Sequence, residues 1–131
     1  MPITYHADAA QGVLFSDWRG TITITEVSAY WTAFTSDKEA MACRGAIADL
    51  RECELQFNGA SIRDLTERIL KPAFQGKKWR SAIVVKDPVQ FGMSRQYGVY
   101  SEIFLSGNVN VFYSDVMALK WLLEDDPGAG I

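Results

Sequence analysis

The spacing of apolar residues changes period several times along the chain, and each change marks an element. Ile3 to Ala7 and Gly12 to Trp18 have strand lengths and flank the turn-prone Asp8-Ala9-Ala10-Gln11-Gly12, which predicts a hairpin. Gly20 is expected to end the second strand. Ile24, Val27, Trp31 and Phe34 then fall at offsets 0, 3, 7 and 10, along one face of a helix. The start of that helix is specified twice. Thr23 with Glu26 three residues on makes a capping box, and Ile22 and Val27 occupy the two positions of a hydrophobic staple.

The run Ala46-Ile47-Ala48, followed by Asp49-Leu50 within Arg44 to Arg51, suits a strand covered on both faces. Ser61 is the expected cap of a second helix, with Asp64 three residues later and Ile62, Leu65 and Ile69 on its buried side. Pro72 should end or kink that helix. Ser81 to Val85 reads as the next buried strand, and Asp87-Pro88-Val89-Gln90 as a helix start in which Asp87 caps and Val89, Met93, Tyr97 and Tyr100 share a face. Gly107-Asn108 marks a turn and Val109 to Tyr113 the last strand. Ser114 caps a final helix with Ala118, Trp121 and Leu122 pointing inward. Residues 1–125 are expected to form one domain and 126–131 a frayed tail. The order β-β-α-β-α-β-α-β-α predicts an α/β fold, a mixed five-stranded sheet with helices packed against it. The hairpin supplies its antiparallel edge and right-handed crossovers the rest.

Composition narrows the class. The 131 residues are 48% hydrophobic and 22% charged, the profile of a globular domain rather than a disordered chain. No apolar run approaches the ~18 residues of a membrane span. Met1 to His6 shows no basic stretch leading into an apolar one, so a cytoplasmic location is expected. Cys43 and Cys53 flank the third strand, which would hold them about 25–30 Å apart in extended geometry, whereas a disulfide tolerates about 7 Å. Reduced thiols are therefore expected. A single histidine disfavours zinc sites and imidazole catalysis, no Gly-x-Ser-x-Gly elbow surrounds any serine, and Gly76-Lys77-Lys78 lacks the remainder of a phosphate loop. Neither catalysis nor a metal or other cofactor is expected.

The net charge of −3 gives no support to nucleic-acid binding, but it conceals an asymmetry. Arg63 to Lys86 carries +5 and the rest of the chain −8. Lys71, Lys77, Lys78 and Arg80 are interleaved with Phe74 and Trp79. This basic segment is either an ordinary solvated loop or a surface for an anionic membrane or an acidic partner. The four tryptophans, where exposed, would serve a homodimer interface.

Several segments carry a resemblance: Trp18-Arg19-Gly20 with Thr23 opening a helix, the strand end Ala48-Asp49-Leu50-Arg51, Phe91-Gly92-Met93-Ser94-Arg95, and Val111-Phe112-Tyr113-Ser114 running into Ala118-Leu119-Lys120-Trp121-Leu122. Together with the element order they resemble the SpoIIAA-like family of small bacterial domains, over nearly the whole chain. That family is related in fold to STAS domains and has been compared with CRAL-TRIO lipid-binding folds. The resemblance implies a non-enzymatic regulatory or protein-binding module, or alternatively a small-molecule or lipid carrier. STAS antagonists of anti-sigma factors carry a phosphorylatable serine in an Asp-Ser-Ser-Gly-like loop. Here Phe57-Asn58-Gly59-Ala60-Ser61 occupies that loop, with Asn58 near the aspartate position and Gly59-Ala60 where the serines stand, so Ser61, the possible regulatory phosphosite, is one residue out of register.

In open α/β sheets, ligands meet the edge where strands end and helices begin. Arg51, Asn58, Ser61, Asp87 and Arg95 fall on that edge. The two arginines either bind an anion there or are neutralised locally by Asp49 or Asp87. The partner is then an unknown protein or a small apolar or anionic ligand. The aromatic supply of Trp31, Phe34, Met93, Tyr97 and Tyr100 either lines a cavity or packs into solid core.

Overall fold

The computed structural model describes residues 2–74, 76–93 and 109–124. Strands β1 (Ile3–Asp8) and β2 (Val13–Thr23) form the expected hairpin. Asp8 builds its turn, accepting the amides of Ala10 and Gln11 at 3.0 and 3.2 Å, and Gly12 takes the left-handed conformation, φ +70°, that returns the chain. Then follow α1 (Ile24–Thr35), the short α2 (Lys38–Met41), β3 (Gly45–Gln56), α3 (Gly59–Leu65), a π-helical turn over Thr66–Leu70 and α4 (Lys71–Phe74). The remainder is β4 (Arg80–Val84), the helical residues 88–93 (α5), β5 (Val109–Phe112) and α6 (Asp115–Leu123).

The five strands lie in the order β1-β2-β3-β4-β5, with β1 antiparallel to β2 and every other pair parallel, so the mixed sheet and α/β order expected from the pattern are what the chain forms. Because each crossover joins immediate neighbours in the same direction, a constant right hand puts the crossover helices on one face. α6 follows the last strand and packs on the other face, against β3, β4 and β5. Two cores result. The larger joins Leu14, Trp18 and Ile22 of β2 to Val27, Trp31 and Phe34 of α1, with Leu65, Phe74 and Trp79 beside them. The smaller holds Val13, Ile47, Ala82 and Val84 beneath Ala118 and Leu122.

The helix start at Thr23 is built as the spacing predicts. Glu26 accepts from both the amide and the hydroxyl of Thr23, and the staple residues Ile22 and Val27 are fully buried. Elsewhere the structure corrects the pattern. Gly20 does not end β2. It takes φ +74° and the strand runs on to Thr23, paired along its length with β3, which is one residue longer. These two strand ends extend past their neighbours, since β1 stops at the Ile3–Trp18 pair and β4 at Asp49–Val84. Where they begin, the register shifts between Asp17 and Arg19, so that two residues of β3, Leu50 and Arg51, face the single residue Trp18.

Asn58, not Ser61, caps α3, its Oδ1 accepting the Ser61 amide at 2.9 Å. Pro72 does not end the helical path. It has no N–H for the carbonyl four residues earlier, and the preceding turn widens to π geometry, with the Lys71 amide reaching the Thr66 carbonyl. In α5 it is Gln90 that is buried, while Val89 stands in solvent. Tyr97, Tyr100, Gly107, Asn108 and the tail 126–131 lie outside the described residues.

Candidate functional site

The C-terminal edge of the parallel strands gathers the ends of β3, β4 and β5 and the starts of α3, α5 and α6. Arg51 lies there, but it is not an open anion site. Its Nε and Nη2 donate to the two oxygens of Asp49 at 3.1 and 2.9 Å, and Asp115 Oδ2 stands 3.6 Å from Nη2. Those hydrogen bonds hold the Asp49 carboxyl below the usual carboxylate range. Two carboxylates on one guanidinium leave that spot with surplus negative charge, so local neutralisation is the arrangement realised. Asp87 is the cap of α5, accepting the Gln90 amide at 2.9 Å. Ser61 is the third residue of α3 and half-buried. Arg95 lies outside the described residues.

Gln90, expected only as part of the helix start after Asp87, organises this edge. The Gln90 side-chain amide donates to the Leu50 carbonyl at 2.9 Å and the Cys53 carbonyl at 2.7 Å, and its oxygen accepts the Lys86 amide at 3.1 Å. It pins α5 to the irregular stretch of β3, whose carbonyls have lost their ladder partners because β4 has ended. Around it the edge exposes apolar surface: Val89 at 74%, Val116 at 70%, and Tyr113 and Met117 at 53% each. Phe91 stacks on Tyr113, with ring centroids 5.4 Å apart. A hollow of about 220 Å³ adjoins it, walled by Phe15, Ile47 and Asp49 of the sheet and Asp115, Val116 and Leu119 of α6.

The basic segment is less of a surface than its composition suggests. Phe74 and Trp79 are buried, packed ring to ring at 4.7 Å, and supply no apolar contact to a membrane. Arg63 and Arg68 stand opposite Glu67 and Asp64 on their own helix. Arg80 is committed to the end of α6, donating to the carbonyls of Trp121 and Glu124 at 2.9 Å. Lys71, Lys77 and Lys78 remain exposed. Of the tryptophans, Trp18, Trp31 and Trp79 are buried and Trp121 is half-buried beneath Arg80.

The aromatic supply does enclose space. Between the helices of the larger core and the sheet lies a cavity of about 100 Å³. Trp18 of β2 and Tyr30, Trp31 and Phe34 of α1 form part of its wall. Leu50 and Leu55 of β3, Ile83 of β4 and Met93 of α5 form another. Ile62 of α3, Leu70 of the π turn, Phe74 and Trp79 complete the apolar lining, and Phe57, Asn58 and Gly59 bring it to the loop before α3. Among the described residues no charged side chain belongs to this lining. Trp31, Phe34 and Met93 thus line a cavity, and their packing is not that of a solid core.

Nothing at either place resembles a catalytic constellation. Among the described residues no three of His, Cys, Asp and Glu stand close enough to hold a metal. Both cysteines are free and buried, and burial pushes the Cys53 thiol up to about 11, far from the nucleophilic thiolate. His6 lies exposed on β1, stacked on Phe15 at 5.3 Å. No described helix is long and apolar enough to cross a membrane.

No family model matches the chain, and no curated protein does. Among solved structures, an uncharacterized protein of the DUF3478 family from Shewanella loihica PV-4, described as having a SpoIIAA-like fold, superposes with a TM-score of 0.60. It is 21% identical, over 92% of this chain and 93% of that one. At that identity the likeness is one of fold, and the chain has the SpoIIAA-like fold that the resemblance of its segments implied.

Proposed function

We propose that this SpoIIAA-like domain is non-enzymatic and binds a small apolar molecule in the cavity between its crossover helices and the sheet. The observation that carries the reading is the cavity itself. A core with this many large aromatic and aliphatic side chains ordinarily packs to crystal density, yet here about 100 Å³ stays open behind Phe57–Gly59. An apolar cavity of about 150 Å³ binds benzene, so one of about 100 Å³ sets a small ring as the upper size of the ligand unless the walls give. The π turn at Thr66–Leu70 supports the same reading, because it widens the helix at the point where Leu70 enters the wall.

Titration with benzene tests this, followed by tryptophan fluorescence and by native mass spectrometry of the freshly purified protein. Saturable binding that is lost in Ala48→Leu, a substitution that fills the cavity, is the expected result. Absence of binding by the wild type overturns the reading.

A second reading rests on a different observation, the exposure of Val89 at the start of α5 and of Tyr113, Val116 and Met117 around the start of α6. Contiguous exposed apolar surface marks docking sites, and a regulatory protein-binding module would use the C-terminal edge in this way. Affinity capture comparing the wild type with Val89→Asp/Val116→Asp separates the cases. A partner retained only by the wild type supports docking, and identical eluates count against it.

A further inference from the structure

The cavity lining contains two hydrogen-bond donors, the Trp79 indole and the Ser81 hydroxyl, that have no partner among the described residues. Trp79 and Ser81 stand two residues apart at the start of β4 and so face the same side as Ile83; all three line the cavity. Trp79 is only 3% exposed, and its indole N–H has no hydrogen-bond partner among the described residues. Trp18, on the same cavity, shows the ordinary case: its indole N–H donates to Ser16 Oγ at 3.0 Å. The half-buried Ser81 hydroxyl likewise donates to no described residue. A buried indole normally finds an acceptor, because leaving the N–H unpaired forfeits its hydration without return.

We infer that the ligand is a small neutral molecule with an apolar ring or short chain and a single acceptor oxygen, a ketone or ether, received by Trp79 Nε1–H and the Ser81 hydroxyl. This rests on the reading of the cavity as a ligand site and names the class of ligand. The described residues of the lining disfavour a charged ligand, since none of them offers a countercharge to a buried carboxylate or ammonium. A pure hydrocarbon fits the walls but leaves Trp79 unpaired.

The test uses cyclopentanone and methylcyclopentane, which have the same number of non-hydrogen atoms, on the ¹⁵N-labelled full chain. The Trp79 indole resonance is assigned by its loss in Trp79→Phe. Cyclopentanone is expected to move that proton downfield, and Trp79→Phe to weaken cyclopentanone about tenfold while leaving methylcyclopentane unchanged. Ser81→Ala, which removes the second donor, provides an independent variant should Trp79→Phe fail to fold, and is expected to weaken the ketone selectively. If both probes bind and each variant changes them equally, or the Trp79 proton does not move, the acceptor inference is overturned while the cavity remains a ligand site. If neither probe binds the wild type, the ligand reading falls and the inference falls with it.

Discussion

Arg80 lies over the ring of Trp121, its guanidinium carbon 5.5 Å from the ring centroid, and donates to that residue's own carbonyl at 2.9 Å. The pairing joins the first residue of β4 to the end of α6 across the smaller core, and the same Nη1 reaches the Glu124 carbonyl. Arg80 therefore serves as a C-terminal cap for α6, with its charge set against the negative end of the helix dipole. Arg80→Met is expected to lower stability by ~1–3 kcal/mol, with Arg80→Lys in between. Urea unfolding checks this, and a midpoint unchanged in Arg80→Met would show the contact to be idle.

Gly45 opens β3 at a point where no side chain fits. A Cβ there would collide with the Arg80 carbonyl oxygen and come within 2.7 Å of Leu122 Cδ1. Gly45→Ala must part β3 from β4 or lift α6, and is expected to cost at least ~3 kcal/mol. Gly20→Ala is the control. Nothing lies within 4 Å of its Cβ position, and only the strain of φ +74° is felt, at about 1 kcal/mol. Thermal unfolding of the two variants should rank them in that order.

The cap of α3 separates two neighbouring residues. Asn58→Ala loses the acceptor for the Ser61 amide and is expected to cost ~1 kcal/mol. Ser61→Ala, inside the helix, should be neutral to within about 0.5 kcal/mol. Equal losses in the two variants would contradict the assignment of the cap.

Asp49 makes stability depend on acid. Its folded pKa is depressed, chiefly by the Arg51 hydrogen bonds, below an unfolded value of about 3.9. The stabilisation is therefore complete above the unfolded pKa and disappears as pH falls through the folded one. Asp8, Glu26 and Asp37 are shifted in the same direction by their own hydrogen bonds. Unfolding midpoints should hold steady near neutrality and drop below about pH 4, with a shallower drop in Asp49→Asn. Identical acid limbs for the two proteins would remove Asp49 from the account.

What could be read from the sequence was local. The Thr23–Glu26 box, the staple and the α1 stripe each depend on residues a few positions apart, and all three formed. The α/β element order and the mixed five-stranded sheet with its antiparallel hairpin edge were legible as well, because alternation of strands and helices leaves few topologies. What escaped depends on residues far apart in the chain. Gln90 reads as a surface residue unless it is known that the Leu50 and Cys53 carbonyls have lost their sheet partners. Glu52 to Gln56 fall beyond the strand expected within Arg44 to Arg51, although Cys53 and Leu55 alternate with Glu52, Glu54 and Gln56 at the period of a strand, a signal that was present. At Asn58-Gly59-Ala60-Ser61 two good capping residues compete, and the backbone decides. The composition of 63–86 suggested a basic, aromatic surface, but Phe74 and Trp79 serve the core and Arg80 serves α6.

Consecutive strand order also bears on how the protein is made. Each parallel strand is added beside the one synthesised just before it, so the helical face of the sheet can assemble in step with translation. The opposite face cannot. Val13, Ile47, Ala82 and Val84 wait for the nine residues of Asp115–Leu123, which are synthesised only after β5. Until then the nascent chain carries a bare apolar strip across an otherwise paired sheet, the kind of surface that chaperones shield.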